Sequence, residues 1–190
     1  MPTERENMTQ GIKEVKKIYR GRVIDLNVER VCLPNDVEIE LEVIRHPGGA
    51  GVIPLFEDHS IILVKQYRHC AGGTIWEIPA GRIDEGENPT DCALRELAEE
   101  VGYRAAHIEK ITSVYSAPGF CTEKVHIFLA TGLTPCETDQ EEDEVIEVVK
   151  MPLDEAVEKV RSGEIDDAKT VVAILLAYLH TNRVLKKPLL

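Results

Sequence analysis

Gly81-Arg-Ile-Asp-Glu-Gly-Glu87-Asn-Pro-Thr-Asp-Cys-Ala-Leu-Arg95-Glu96-Leu97-Ala98-Glu99-Glu100-Val101-Gly102-Tyr103 is the stretch from which the rest of the chain can be read. Pro89 suits the first turn of a helix and Gly102 the position just past its end, so the spacing predicts a helix over 89–101. At about 100° per residue and with Glu96 as origin, Glu100 falls near +40° and Glu99 near −60°. Leu94, Leu97, Ala98 and Val101 fall between about 100° and 200°, so the carboxylates are expected on a stripe opposite the apolar one. Arg95 stands four residues before Glu99, within ion-pair reach. Like charges so close repel one another. They also sit in the C-terminal half of the helix, where the backbone dipole disfavours anions. Two readings of the helix alone are open: a solvated acidic face, or oxygen ligands for a hard divalent ion such as Mg²⁺ or Mn²⁺.

Working outward, residues 13–46 read as strands. Val37, Ile39, Leu41 and Val43 alternate with Glu38, Glu40 and Glu42, which predicts one buried and one wet face. Pro34-Asn35-Asp36 supplies the turn before them, and Pro47-Gly-Gly-Ala-Gly51 a joint to the rest of the chain. Further strands are expected at 52–55 and 61–66 as a hairpin, and at 74–78, 111–115, 125–130 and 145–149. Helices are expected at 153–161 and 168–180, the last apolar nearly all round and therefore buried against the sheet or a partner subunit. These readings divide the chain into a tail (1–11), an N-terminal β subdomain (12–48) and a main domain (49–185).

The chain has 190 residues, 43% of them hydrophobic, with 22 Lys plus Arg against 34 Asp plus Glu. This is enough for one well-cored domain. The net charge of −12 argues against duplex DNA or an anionic membrane as partner. The five cysteines form no CxxC and no zinc pattern, so a reducing compartment is expected. The start is polar and the longest apolar run, 171–179, is too short to span a bilayer, so a cytoplasmic protein is expected.

The loop before the helix decides between the two readings of the carboxylates. Residues 81–103 match G-x5-E-x7-R-E-U-x-E-E-x-G-U at every fixed position, with U a bulky apolar or aromatic residue. A chance match at a given start is on the order of one in 10⁸. The segment resembles the signature box of the Nudix hydrolases, which cleave nucleoside diphosphates linked to a further group with the help of divalent metal ions. The resemblance implies an α+β Nudix fold, a mixed β-sheet sandwiched between helices (α/β/α) with an N-terminal β-strand subdomain. Outside the box the chain resembles the ADP-ribose pyrophosphatase-like subgroup. Pro118 stands fifteen residues past Tyr103, and Val64-Lys-Gln-Tyr-Arg68 followed by Trp76-Glu-Ile-Pro-Ala-Gly81 looks like that subgroup's strand pair.

Carried over position by position, the resemblance implies that Ala80 offers its carbonyl, and Glu96, Glu99 and Glu100 their carboxylates, to two or three Mg²⁺ or Mn²⁺ ions. Arg95 would orient the glutamates. In the acidic run at 141–144, Glu144 matches a further metal ligand and Glu142 the general base. On the substrate side the resemblance assigns Arg68, as a bidentate clamp on the pyrophosphate, with Glu77, Pro118 and Arg45, the last towards the adenosine end of a substrate in the partner subunit. It implies a homodimer with exchanged N-terminal strands, and cleavage of ADP-ribose to AMP and ribose 5-phosphate by water attack on phosphorus. Other nucleoside diphosphate sugars, NADH and dinucleoside polyphosphates stand as alternative substrates, and a non-hydrolysing nucleotide sensor as the alternative of another class. No aromatic for stacking the base stands out, although Tyr19 is a candidate. Cys92 lies in the box at a variable position and is read as a spectator.

Overall fold

The computed structural model describes residues 11–139 and 145–182. They fall into two units. The first comprises residues 11–47 with Ala117–Glu123. Its strands β1 (Ile12–Arg20), β2 (Asp25–Cys32) and β3 (Glu38–Arg45) form an antiparallel sheet in the order β1-β2-β3. The turn before β3 holds Asp36 at φ 64, a left-handed conformation that Asp tolerates. Glu38, Glu40 and Glu42 are exposed as the alternation predicts, but Ile39 and Val43 are only half-buried and Leu41 is exposed. The physical reason is that no helix belongs to this unit among the described residues, so the sheet finds no helical layer within its own unit. The returning segment is tied to β3 by Ile44 N–H to the Phe120 carbonyl (2.7 Å) and Thr122 N–H to the Ile44 carbonyl (3.0 Å).

The second unit comprises Gly48–Ser116 and the chain from Lys124 onward. Its strands are β4 (Gly49–Pro54), β5 (Ser60–Arg68), β6 (Gly73–Glu77), β7 (Ala80–Arg82), β8 (Tyr103–Tyr115), β9 (Lys124–Pro135) and β10 (Ile146–Pro152). Helices α1 (Pro89–Val101), α2 (Leu153–Ser162) and α3 (Ala168–Thr181) complete it. One sheet runs β10-β5-β6, all antiparallel. The other runs β7-β4-β9-β8, with β4 and β9 parallel and the remaining pairs antiparallel.

The short apolar runs of β4, β5 and β9 are buried on both faces, and their period of two sorts the side chains between two cores. Ile53, Ile61, Leu63, Ile127 and Leu129 join one core with Ala156, Ala173, Ile174 and Ala177 of α2 and α3. Val52, Ile62, Val64, Phe128 and Ala130 join the other with Cys92, Ala93, Leu97 and Val101 of α1. The result is a mixed-sheet arrangement with helices on both faces.

Four local expectations change. The segments at 52–55 and 61–66 do not form a hairpin. A Leu55–Ile61 bridge closes the turn, but β4 and β5 then part into different sheets. Strand β7 is absent from the sequence reading, because three residues carry too little pattern. Strand β8 begins at Tyr103 rather than 111. As the edge of its sheet it is held by backbone pairing with β9, and most of its first half is exposed. Helix α3 is buried along Thr170, Ala173, Ile174 and Ala177, while Leu175 is exposed, so it packs by one stripe within this chain. Among the described residues no helix is long and apolar enough to cross a membrane.

Candidate active site

Helix α1 is fixed at both ends. The Asn88 side chain accepts the N–H groups of Thr90 and Asp91, both at 3.0 Å, and Pro89 takes the first helical position. Gly102 closes the helix at φ 70, with its N–H on the Ala98 carbonyl (3.0 Å). A Cβ there would also lie 2.9 Å from Thr138 Cγ2 and 3.0 Å from the Cys136 carbonyl oxygen.

The carboxylates do not occupy the solvent side, as the helical wheel suggested. Glu96 and Glu100 are 7% and 2% exposed, while Glu99 is half-buried. The buried arc of α1 takes in Cys92, Ala93, Glu96, Leu97, Glu100 and Val101, so two acids are inserted beside the apolar stripe. They face β7. A Cβ at Gly81 would stand 1.7 Å from Glu96 Oε1, and Ala80 N–H donates to Glu100 Oε2 at 3.1 Å. The box glycine is therefore a place for a carboxylate to lie against backbone, and a solvated acidic face is excluded for these two residues.

Arg95 gathers the rest of the box. Its Nε and Nη2 reach Glu87 (3.0 and 3.2 Å), and its Nη1 reaches Glu96 Oε1 (2.7 Å) and Glu99 Oε2 (3.0 Å). Nη2 also donates to the Arg82 carbonyl at 3.2 Å, tying loop to helix. Hydrogen bonds to Glu87, with the charges of Glu96 and Glu99 nearby, hold the guanidinium above its ordinary value despite partial burial. The same Arg95 contact holds the Glu87 carboxyl below its own. Burial, reinforced by Glu87, pushes the Cys92 thiol up to about 12, which suits a protonated spectator.

A second polar cluster lies on β5, β6 and the start of α3. Arg68 Nε and Nη2 hold Glu77 by a parallel fork (2.9 and 2.8 Å). Lys169 Nζ joins Glu77 Oε2 at 3.1 Å and Asp167 Oδ2 at 3.0 Å. Asp167 caps α3 through Thr170 N–H (3.0 Å) and accepts the Thr170 hydroxyl (2.6 Å). The Thr170 oxygen in turn accepts Ile78 N–H at 2.8 Å. Burial raises the Glu77 pKa, but Arg68 and Lys169 outweigh it and leave the carboxyl below its ordinary value. The charge of Glu100 is among those acting on Arg68. Asp167, Lys169 and Thr170 were missed from the sequence. Their only signal there is an Asp three residues before a Thr, an ordinary helix start.

The structure thus brings Ala80, Glu87, Arg95, Glu96, Glu99 and Glu100 together, with the Arg68–Glu77 pair in the same unit. Arg45 and Pro118 belong to the N-terminal unit, where Arg45 Nε and Nη2 donate to the two oxygens of the Glu29 carboxylate (2.8 and 2.6 Å) and Pro118 lies exposed in a turn. Glu142 and Glu144 lie outside the described residues. Among the described residues no three acidic, histidine or cysteine side chains are gathered closely enough to hold a metal ion. The donor set is nonetheless all oxygen and includes two acids held out of water, which fits a hard divalent ion.

A sandwich built around a loop–helix whose glutamates lie against a glycine-bearing strand is the class defined by this fold and site. The chain belongs to the Nudix family: the NUDIX domain model matches residues 45–173. It is 47% identical to an ADP-ribose pyrophosphatase of Bacillus subtilis (strain 168), over 84% of this chain and 87% of that protein. It is 39% identical to a methanol dehydrogenase activator of Bacillus methanolicus, over 91% of this chain and 94% of the other. Among solved structures it resembles the crystal structure of an ADP compounds hydrolase, with a TM-score of 0.76 and 25% identity, covering 90% of this chain and 94% of that one.

Proposed function

We propose that this protein is a metal-dependent pyrophosphohydrolase that cleaves ADP-ribose to AMP and ribose 5-phosphate. The observation that carries the reading is the burial of Glu96 and Glu100 against Gly81 and Ala80, in a chain 47% identical to an ADP-ribose pyrophosphatase. Buried acids are costly unless cations compensate them. Arg95 supplies one positive charge to Glu87, Glu96 and Glu99 together, and cannot neutralise all three.

Glu96, Glu99 and Glu100, with the Ala80 carbonyl and Glu144, are the residues that would hold Mg²⁺ or Mn²⁺. When bound, two or three such ions screen the diphosphate and acidify a water. The chain does the rest. Arg95 fixes the directions of Glu96 and Glu99. Arg68 turns its remaining nitrogen, Nη1, to a phosphate oxygen, and Arg45 serves the adenosine end of a substrate bound in the partner subunit. Glu142 accepts the proton of the attacking water, whose oxygen bonds to phosphorus as the bridging P–O bond breaks.

The test is a panel of ADP-ribose, GDP-mannose, ADP-glucose, NADH and diadenosine polyphosphates with Mg²⁺ or Mn²⁺. ADP-ribose is expected to turn over at least about tenfold better than the others, and Glu100→Gln to lose more than about a hundredfold. Equal or better turnover of another compound rejects the substrate. A near-normal Glu100→Gln rejects the ligand assignment.

A further inference from the structure

The geometry points to Lys169 as a positioning residue for the substrate diphosphate: it anchors Glu77 to the start of α3, so that Glu77 holds Arg68 by one edge and leaves the other for a phosphate. This rests on the reading of Arg68 as the clamp. Glu77 is 3% exposed, and its Oε2 receives both Arg68 Nη2 (2.8 Å) and Lys169 Nζ (3.1 Å). The parallel fork occupies the Nε–Nη2 edge of the guanidinium, and Nη1 makes no hydrogen bond among the described residues. A guanidinium presents two such edges, and a carboxylate fork on one sets the plane in which the other points.

Lys169 does two things to that fork. Its second contact, to Asp167 (3.0 Å), ties Glu77 to a helix start that is itself locked to the Ile78 N–H through Thr170. Its charge also offsets Glu77, so that the full negative charge of the carboxylate does not fall on Arg68 alone. Without Lys169, the Arg68–Glu77 fork loses its tie to α3 and Glu77 draws more strongly on Arg68, and both effects weaken the grip on a diphosphate. Lys169 itself touches neither the box carboxylates nor the loop before them among the described residues. Its loss should therefore appear in KM and not in kcat.

The experiment compares Lys169→Met, Lys169→Gln, Lys169→Arg, Arg68→Met and the double variant Arg68→Met/Lys169→Met in ADP-ribose hydrolysis. The full chain is used, with thermal unfolding of each variant as a control. Lys169→Met is expected to raise KM about fivefold or more with kcat within about twofold, Lys169→Arg to restore most of it, and Lys169→Met to add nothing once Arg68 is gone. If Arg68→Met raises KM while Lys169→Met leaves it alone, the inference fails and the clamp stands. An Arg68→Met enzyme with normal KM removes the clamp reading itself. A Lys169→Met effect that persists in the Arg68→Met background, or that falls on kcat alone, overturns the inference. So does failure of both Lys169→Met and Lys169→Gln to fold, which would assign the residue to stability.

Discussion

At the scale of single residues, the informative contact is the one between Gly81 and Glu96. Glycine here is a requirement of space and not of backbone angle, since a Cβ would fall 1.7 Å from a carboxylate oxygen. Gly81→Ala therefore must displace Glu96, and with it the Arg95 Nη1 contact at 2.7 Å. Activity is expected to fall by about a hundredfold or more, because a misplaced ligand on this scale costs rate more than binding. A Gly81→Ala enzyme within about threefold of normal, by initial-rate assay, would show that Glu96 is not held where it matters.

At the scale of elements, α1 is a helix whose ends are built for it. Asn88 satisfies two of the N–H groups that a helix start leaves unpaired, both at 3.0 Å. Asn88→Ala is expected to cost about 1 kcal/mol, or about 2–4 °C in Tm for a domain of this size. Calorimetry showing no change would mean that water replaces the cap at no cost. The Glu77 pair works between elements. Its carboxyl lies below the ordinary 4.5, so its contribution is full above the unfolded value and is lost as pH falls through the folded one. Glu77→Gln is expected to destabilise by about 1.5–3 kcal/mol at neutral pH, since it takes from Arg68 its carboxylate partner and leaves Lys169 with Asp167 alone. The gap between wild type and variant should narrow as pH is lowered from about 5 to about 3 in urea titrations. A gap constant over that range would place the effect in packing.

Across the whole molecule, the main unit closes its strands between helices, whereas the N-terminal sheet leaves apolar side chains exposed. Val15, Ile18, Tyr19, Val23, Val37 and Leu41 are all at least 36% exposed. Four of these on the strands and two, Val23 and Val37, in the turns between them motivate the proposal of a homodimer joined through N-terminal strands. Sedimentation velocity is expected to give a species of twice the chain mass at micromolar concentration. A monomer at that concentration would remove the shared-strand arrangement.

The box, both ends of α1, the short apolar strands and the acids around Glu96 were legible because each depends on neighbours within a few residues along the chain. Periodicity and capping are local, and they carry the family with them. Only the tertiary structure decided that Glu96 and Glu100 turn inward against β7, that β4 and β5 part company, and that Arg45 and Arg68 are each held by a buried glutamate. The link from Ile78 to Thr170 joins residues 92 apart in sequence. Such pairings depend on which faces meet when sheets and helices pack, and no repeat in the sequence marks them in advance.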